Sequence, residues 1–163
     1  MALLSPDLYY SSLLAVDLDD LEARGIRAII LDLDNTILPR DTGVLDDWAR
    51  HWARDARRRF KLCIVTNNTA AYPAAIAREL DVGIVSRALK PTPIGLRRAM
   101  RMLQAVPGET AVIGDQLFTD VLGGNLAGLT TALVDPLVRY DLPHTLVLRR
   151  LTGRVMAGRR PLA

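Results

Sequence analysis

From about residue 27 to residue 134, short and continuously apolar runs alternate with longer stretches in which apolar residues recur every three or four positions. The runs cover residues 27–33, 62–66, 82–86, 110–114 and 130–134. Each has strand length and is too uniformly apolar to be half exposed, as expected of a parallel sheet covered on both faces. Three stripes lie between them: Trp48, Trp52, Ala56 and Phe60; Tyr72, Ile76 and Leu80; Leu96, Met100 and Leu103, with Arg97, Arg98 and Arg101 turned outward. Each stripe reads as the core-facing side of a helix. The rhythm predicts an α/β fold of three layers, Rossmann-like, with a parallel sheet of about five strands and helices on both faces.

Residues 1–26 read as a helical lead-in. Ser5-Pro6-Asp7 resembles a helix start, Leu18 to Arg24 a short amphipathic helix, and Gly25 a left-handed stop. Residues 139–163 read as a helical tail, with Val147, Leu151 and Val155 on one side and Arg150 and Arg154 on another. A chain of 163 residues fits one domain spanning 1–163.

Composition narrows the class. Half the residues are apolar, 24% are charged, and no repeat or low-complexity tract is present, which excludes fibrous and disordered chains. The single cysteine, Cys63, lies in an apolar run, so it offers no disulfide framework or zinc cluster and reads as a core thiol. No apolar run approaches the roughly 18 residues of a membrane span, and the N-terminus lacks signal-peptide features, so a cytoplasmic protein is expected. The formal charge of +3 is unevenly spread. Residues 139–163 hold six arginines against one acid, a net +5, while the rest of the chain is net −2. Any attraction to an anionic phospholipid surface, at the inner face of a membrane, would come from that tail. Basic and aromatic residues are not interleaved elsewhere, which leaves little to recommend nucleic acid as a partner.

The strongest chemical signal is Leu31-Asp32-Leu33-Asp34-Asn35-Thr36 at the end of the first apolar run. Ionised carboxylates are costly to bury without a metal or a partner, and open α/β sheets bind ligands beyond the carboxyl ends of their strands. Three further groups fall at later run ends. Thr66-Asn67-Asn68 offers a hydroxyl and successive N–H groups suited to phosphate oxygens. Lys90-Pro91 places an ammonium in a chain with only two lysines, which suits a point charge. Asp115 and Asp120 add carboxylates after the fourth run. Singly, each group could be a helix cap or a solvated side chain. Together they supply hard oxygen ligands for Mg²⁺, a nucleophile, a proton donor, an oxyanion-binding hydroxyl and a cation on one edge of one sheet.

These four motifs resemble, in order and spacing, those of the haloacid dehalogenase (HAD) superfamily of phosphatases, and most closely its subclass IIIA proteins of the YqeG type. The likeness extends over Pro6-Asp7-Leu8-Tyr9, Arg24-Gly25-Ile26, the motifs above and the run from Gly114 to Gly128. It is weakest after Val134. The resemblance implies an Mg²⁺-dependent phosphomonoester hydrolase in which Asp32 attacks phosphorus and Asp34 acts as general acid. Asp32, Asp115 and the Asp34 carbonyl would hold Mg²⁺, Thr66 and the Asn67 amide would bind phosphoryl oxygens, and Lys90 would offset charge, with Asp120 as a partner of Lys90 or of the ligands. It also implies that no cap domain is present, because neither the stretch from Asp34 to Thr66 nor that from Thr66 to Lys90 has room for one. An uncapped site suits a phosphate carried on something large, such as a lipid headgroup, a phosphoprotein or a nucleic-acid end, although small phosphometabolites stay open. The likeness reaches phosphatidylglycerophosphate phosphatases. Two readings of other classes compete: a phosphorylated receiver domain, disfavoured because its acidic pair and phosphoacceptor fall on different strands, and a non-catalytic scaffold.

Overall fold

The computed structural model describes residues 3–138 together with Met156, Gly158 and residues 160–162. Six strands, β1 (Leu8–Tyr10), β2 (Ala28–Leu31), β3 (Lys61–Val65), β4 (Gly83–Val85), β5 (Thr110–Gly114) and β6 (Thr130–Val134), form one sheet in the order β1-β6-β5-β2-β3-β4. Every neighbouring pair runs parallel. The helices are α1 (Leu18–Ala23), α2 (Asp47–Arg59), α3 (Tyr72–Glu79), α4 (Ile94–Leu103) and α5 (Leu122–Ala127).

Side chains alternate across the sheet with the period of two that a strand imposes. Ile29, Leu31, Leu62, Ile64, Ala111 and Ile113 point to one face, where Ala49, Trp52, Ala53 and Ala56 of α2 and Ile76 and Ala77 of α3 cover them. Ile30, Cys63, Val65 and Val112 point to the other, against Leu96, Ala99 and Met100 of α4. The continuously apolar runs therefore reflect burial on both faces, and burying each such side chain contributes about 1.5–3 kcal/mol. The chain lays β3 and β4 on one side of β2, then crosses to lay β5 and β6 on the other. That reversal puts the carboxyl end of β2 at the switch point, where open α/β sheets bind ligands.

The parallel sheet of about five strands is as expected, with a sixth strand among the described residues. Two expectations need correction. Ser5-Pro6-Asp7 does not start a helix. It leads into β1, which pairs with β6 from Leu8↔Ala132 to Tyr10↔Val134. The Asp7 carboxylate accepts from the Thr131 amide at 2.8 Å and hydroxyl at 3.0 Å, so a residue with helix-capping chemistry here ties down an edge strand. Tyr72, counted in a core stripe, is instead 38% exposed, and Pro73, Ile76 and Ala77 carry the burial of α3, with Leu80 buried just beyond its end. The short helix and its stop are as expected: Asp17 accepts from the amides of Asp19 and Asp20, and Gly25 has φ +83°. The tail helix through Val147, Leu151 and Val155 lies outside the described residues. Of the described end, Leu162 donates its amide to the Tyr9 carbonyl at 2.7 Å, and Met156 packs on Leu117, Val121 and Leu133.

Candidate active site

The end of β2 is turned back on itself. The amides of Thr36, Ile37 and Leu38 all donate to the Leu33 carbonyl, at 3.3, 3.2 and 3.1 Å, and Asn35 takes the left-handed conformation at φ 68°. An asparagine tolerates that backbone better than most residues. Its side chain meanwhile clasps the backbone of Val138, donating to the carbonyl at 2.9 Å and accepting from the amide at 3.1 Å. The turn thus fixes Asp32 and Asp34 on one edge, 7% and 8% exposed.

Asp32 sits in a charged network. The Lys90 ammonium, itself buried, donates to Asp32 Oδ1 at 2.6 Å and to Asp120 Oδ1 at 2.5 Å. Thr36 adds a hydroxyl to Asp32 Oδ2 at 3.3 Å, and the Gln116 amide donates to Asp120 Oδ2 at 3.1 Å. Asn67 holds the Lys90 backbone from both sides, its carbonyl oxygen accepting from the Lys90 amide at 2.7 Å and its amide donating to the Lys90 carbonyl at 2.9 Å. Asp120 can come this close only because residue 114 is glycine, where a Cβ would stand 2.3 Å from Asp120 Cγ. Burial raises the Asp32 carboxyl to about 7, with Lys90 pulling it down and Asp120 pushing it up. Burial also works against the Lys90 ammonium, but Asp120 and Asp32 outweigh it and hold its pKa above the ordinary lysine range.

Asp115 stands beside this network, and one carboxylate oxygen from each of Asp32, Asp115 and Asp120 lies within 4.8 Å of the others. Anionic hard oxygens converging in a buried place fit Mg²⁺.

Asp34 is held differently. Its Oδ2 accepts from the Thr66 hydroxyl at 3.3 Å and from the Asn68 side-chain amide at 3.2 Å, and its Oδ1 accepts from the Tyr72 hydroxyl. All three donors are neutral and follow β3. Thr66 is positioned by β3 and by its own backbone, whose carbonyl accepts from the Ala88 amide at 3.0 Å, while its hydroxyl also accepts from the Asn68 amide at 3.0 Å.

A cleft of about 300 Å³ connects the two aspartates and is lined by Asp32, Asp34, Thr66, Asn67 and Lys90. Arg40, Asn68, Tyr72, Gln116 and Thr119 complete its wall. The structure therefore brings together every residue singled out from the sequence, with Asp115 and Asp120 grouped around Asp32. Sequence reasoning missed Asn68 as a side chain, Tyr72, Arg40 and the steric role of Gly114. Only Asn68 carried a signal, as the third residue of the motif after β3.

A HAD-hydrolase-like family model matches residues 88–136. The chain is 31% identical to the Bacillus subtilis protein named "Probable phosphatase YqeG" over 154 residues, 94% of this chain and 90% of that one. It is 31% identical over 144 residues to the mitochondrial phosphatidylglycerophosphatase GEP4 of Saccharomyces cerevisiae, covering 77% of each. Among solved structures, a HAD phosphatase from Thermococcus onnurineus superposes with a TM-score of 0.56 at 19% identity, over 83% of this chain and all of the other, a likeness of fold.

Proposed function

The chain belongs to the YqeG-type phosphatases of the HAD-like hydrolases, enzymes that hydrolyse phosphoric monoesters, and we propose that it does so through a phospho-aspartate on Asp32, with a phospholipid precursor as substrate. The observation that carries the catalytic reading is the split between the two aspartates, one bound to a buried cation and one held by neutral donors. Two carboxylates in different environments can take the roles of nucleophile and acid.

Asp32 attacks phosphorus through a carboxylate oxygen. The bond to the leaving oxygen breaks, and Asp34 gives that oxygen its proton. Asp34, now ionised, takes a proton from water as the water attacks phosphorus, and cleavage of the bond to Asp32 releases phosphate. Thr66 and the Asn67 backbone N–H receive phosphoryl oxygens, and Lys90 balances the charge that Asp32 brings. Asp32, Asp115 and the Asp34 carbonyl would hold Mg²⁺, which when bound neutralises charge on the transferring group. Asp120 serves as the partner that fixes Lys90.

Support for a large substrate comes from the connections. Between β2 and β3 the described chain holds one loop and α2, and between β3 and β4 only α3, so neither carries an inserted cap. The likeness to a protein named phosphatidylglycerophosphatase favours phosphatidylglycerophosphate. The test is a comparison, with Mg²⁺ present, of phosphatidylglycerophosphate in vesicles, ribonucleoside monophosphates and p-nitrophenyl phosphate. The lipid should give the highest kcat/KM of the natural phosphates; faster hydrolysis of the nucleotides would contradict the lipid reading. Vesicle binding is expected to follow anionic lipid content and to weaken with salt. No helix among the described residues is long and apolar enough to cross a membrane.

A further inference from the structure

Of the three groups that hold Asp34, two have other duties. Thr66 directly follows β3 and is proposed above to receive a phosphoryl oxygen, and Asn68 bridges the loop, its Oδ1 accepting from the Ala70 amide at 2.8 Å. Tyr72 has no such duty. It opens α3, its ring contributes little to the core, and its hydroxyl still reaches past Asn68 to a carboxylate that is only 8% exposed. The Asn68 amide donates to both Asp34 and Tyr72, so carboxylate, amide and phenol close a triangle. Burial and the Asp34 charge raise the phenol's pKa, so it remains a donor at neutral pH.

We propose that Tyr72 is a positioning residue, whose hydroxyl keeps the Asp34 carboxyl aimed at the leaving-group oxygen without contributing to the phosphoryl pole. This rests on the reading of Asp34 as general acid given above. The side chains that hold Asp34 among the described residues are all neutral, unlike those around Asp32, and a misplacement of about 1 Å at a reacting group can cost on the order of 10²-fold in rate. Tyr72 supplies the third point of attachment. The ring also forms the cleft wall beside Arg40, whose charge is close enough to pull on the phenol.

The experiment compares wild type, Tyr72→Phe and Asp34→Asn in single turnovers with Mg²⁺, on glycerol 3-phosphate and on p-nitrophenyl phosphate. A proton donor matters most for a poor leaving group, and general acids contribute about 10²–10⁴-fold. Tyr72→Phe should lose about 10-fold on the alkyl ester and under about threefold on the aryl ester, with KM nearly unchanged. Its melting temperature and its inhibition by beryllofluoride should match wild type. Equal losses on the two esters, no loss on the alkyl ester, weakened beryllofluoride inhibition or failure to fold would each overturn the proposal. Asp34→Asn separates the two levels. If it fails to discriminate between the esters, the reading of Asp34 falls; if it discriminates and Tyr72→Phe does not, only the role of Tyr72 falls.

Discussion

Asp32 and Asp34 are two residues apart and almost equally buried, yet their surroundings have little in common. Asp32 shares one buried ammonium with Asp120 and stands within reach of Asp115. Asp34 faces a threonine, an asparagine and a tyrosine. The two meet different parts of the chain: Asp32 the segments after β4 and β5, which carry Lys90, Asp115 and Asp120, and Asp34 the segment after β3, which carries Thr66, Asn68 and Tyr72. The Lys90 ammonium offsets part of the burial that raises the Asp32 carboxyl, which suits a nucleophile placed close to a metal. Among the described residues, the donors around Asp34 are neutral and orient its carboxyl by hydrogen bonds alone.

The largest expected effect comes from breaking the charged side at its centre. Asp32→Asn removes the nucleophile and should lower kcat by at least about 10⁴-fold while leaving the fold intact, as followed by p-nitrophenyl phosphate turnover and circular dichroism. Lys90→Met comes next. It leaves Asp32 and Asp120 buried without their cation, and breaking a buried pair from one side costs about 3–5 kcal/mol, to be read from urea unfolding of the metal-free protein. No comparable loss is expected from Tyr72→Phe, and that contrast is the sharpest statement of how the two sides differ.

Gly114→Ala should act indirectly. Its methyl would fall on the Asp120 side chain, so Asp120 must move and Lys90 loses its anchor, with about 1–3 kcal/mol of destabilisation and a fall in activity on both aryl and alkyl esters. A loss confined to the alkyl ester would mean that the two sides are coupled.

The smallest effect is on pH dependence. Burial raises the Asp32 carboxyl to about 7, so the folded, metal-free protein binds this proton more tightly than the unfolded chain does. The resulting contribution is fully present below the unfolded value of 3.8 and is lost as pH rises through about 7. The melting temperature of metal-free protein should therefore decline over that interval by more in wild type than in Asp32→Asn. Identical slopes would show that Asp32 is not the group responsible.

Much of this was legible in the sequence for a definite physical reason. Burial on both faces makes the strands of a parallel sheet continuously apolar, so five of the six announced themselves, and the polar residues that interrupt the ends of β2, β3 and β5 stood out against them. Lys90 was legible because the chain otherwise favours arginine. Strand β1 was not, since Leu8–Tyr10 is too short to show a period and Pro6-Asp7 has the chemistry of a helix start. Tyr72 was hidden by its own spacing: it lies four residues before Ile76 on an apolar stripe, and only the start of α3 at that residue turns its ring to the cleft. Gly114 carried no signal at all, because its role depends on where Asp120 goes.

The central claim is the covalent step on Asp32, and peptide mapping of enzyme quenched in acid during turnover with Mg²⁺ tests it most directly. With p-nitrophenyl phosphate, whose leaving group needs little protonation, a single phosphoryl group is expected on the peptide containing Asp32, with more of it accumulating in Asp34→Asn and none in Asp32→Asn. Turnover without any phosphoenzyme, or a phosphoryl group on another residue, would contradict the account.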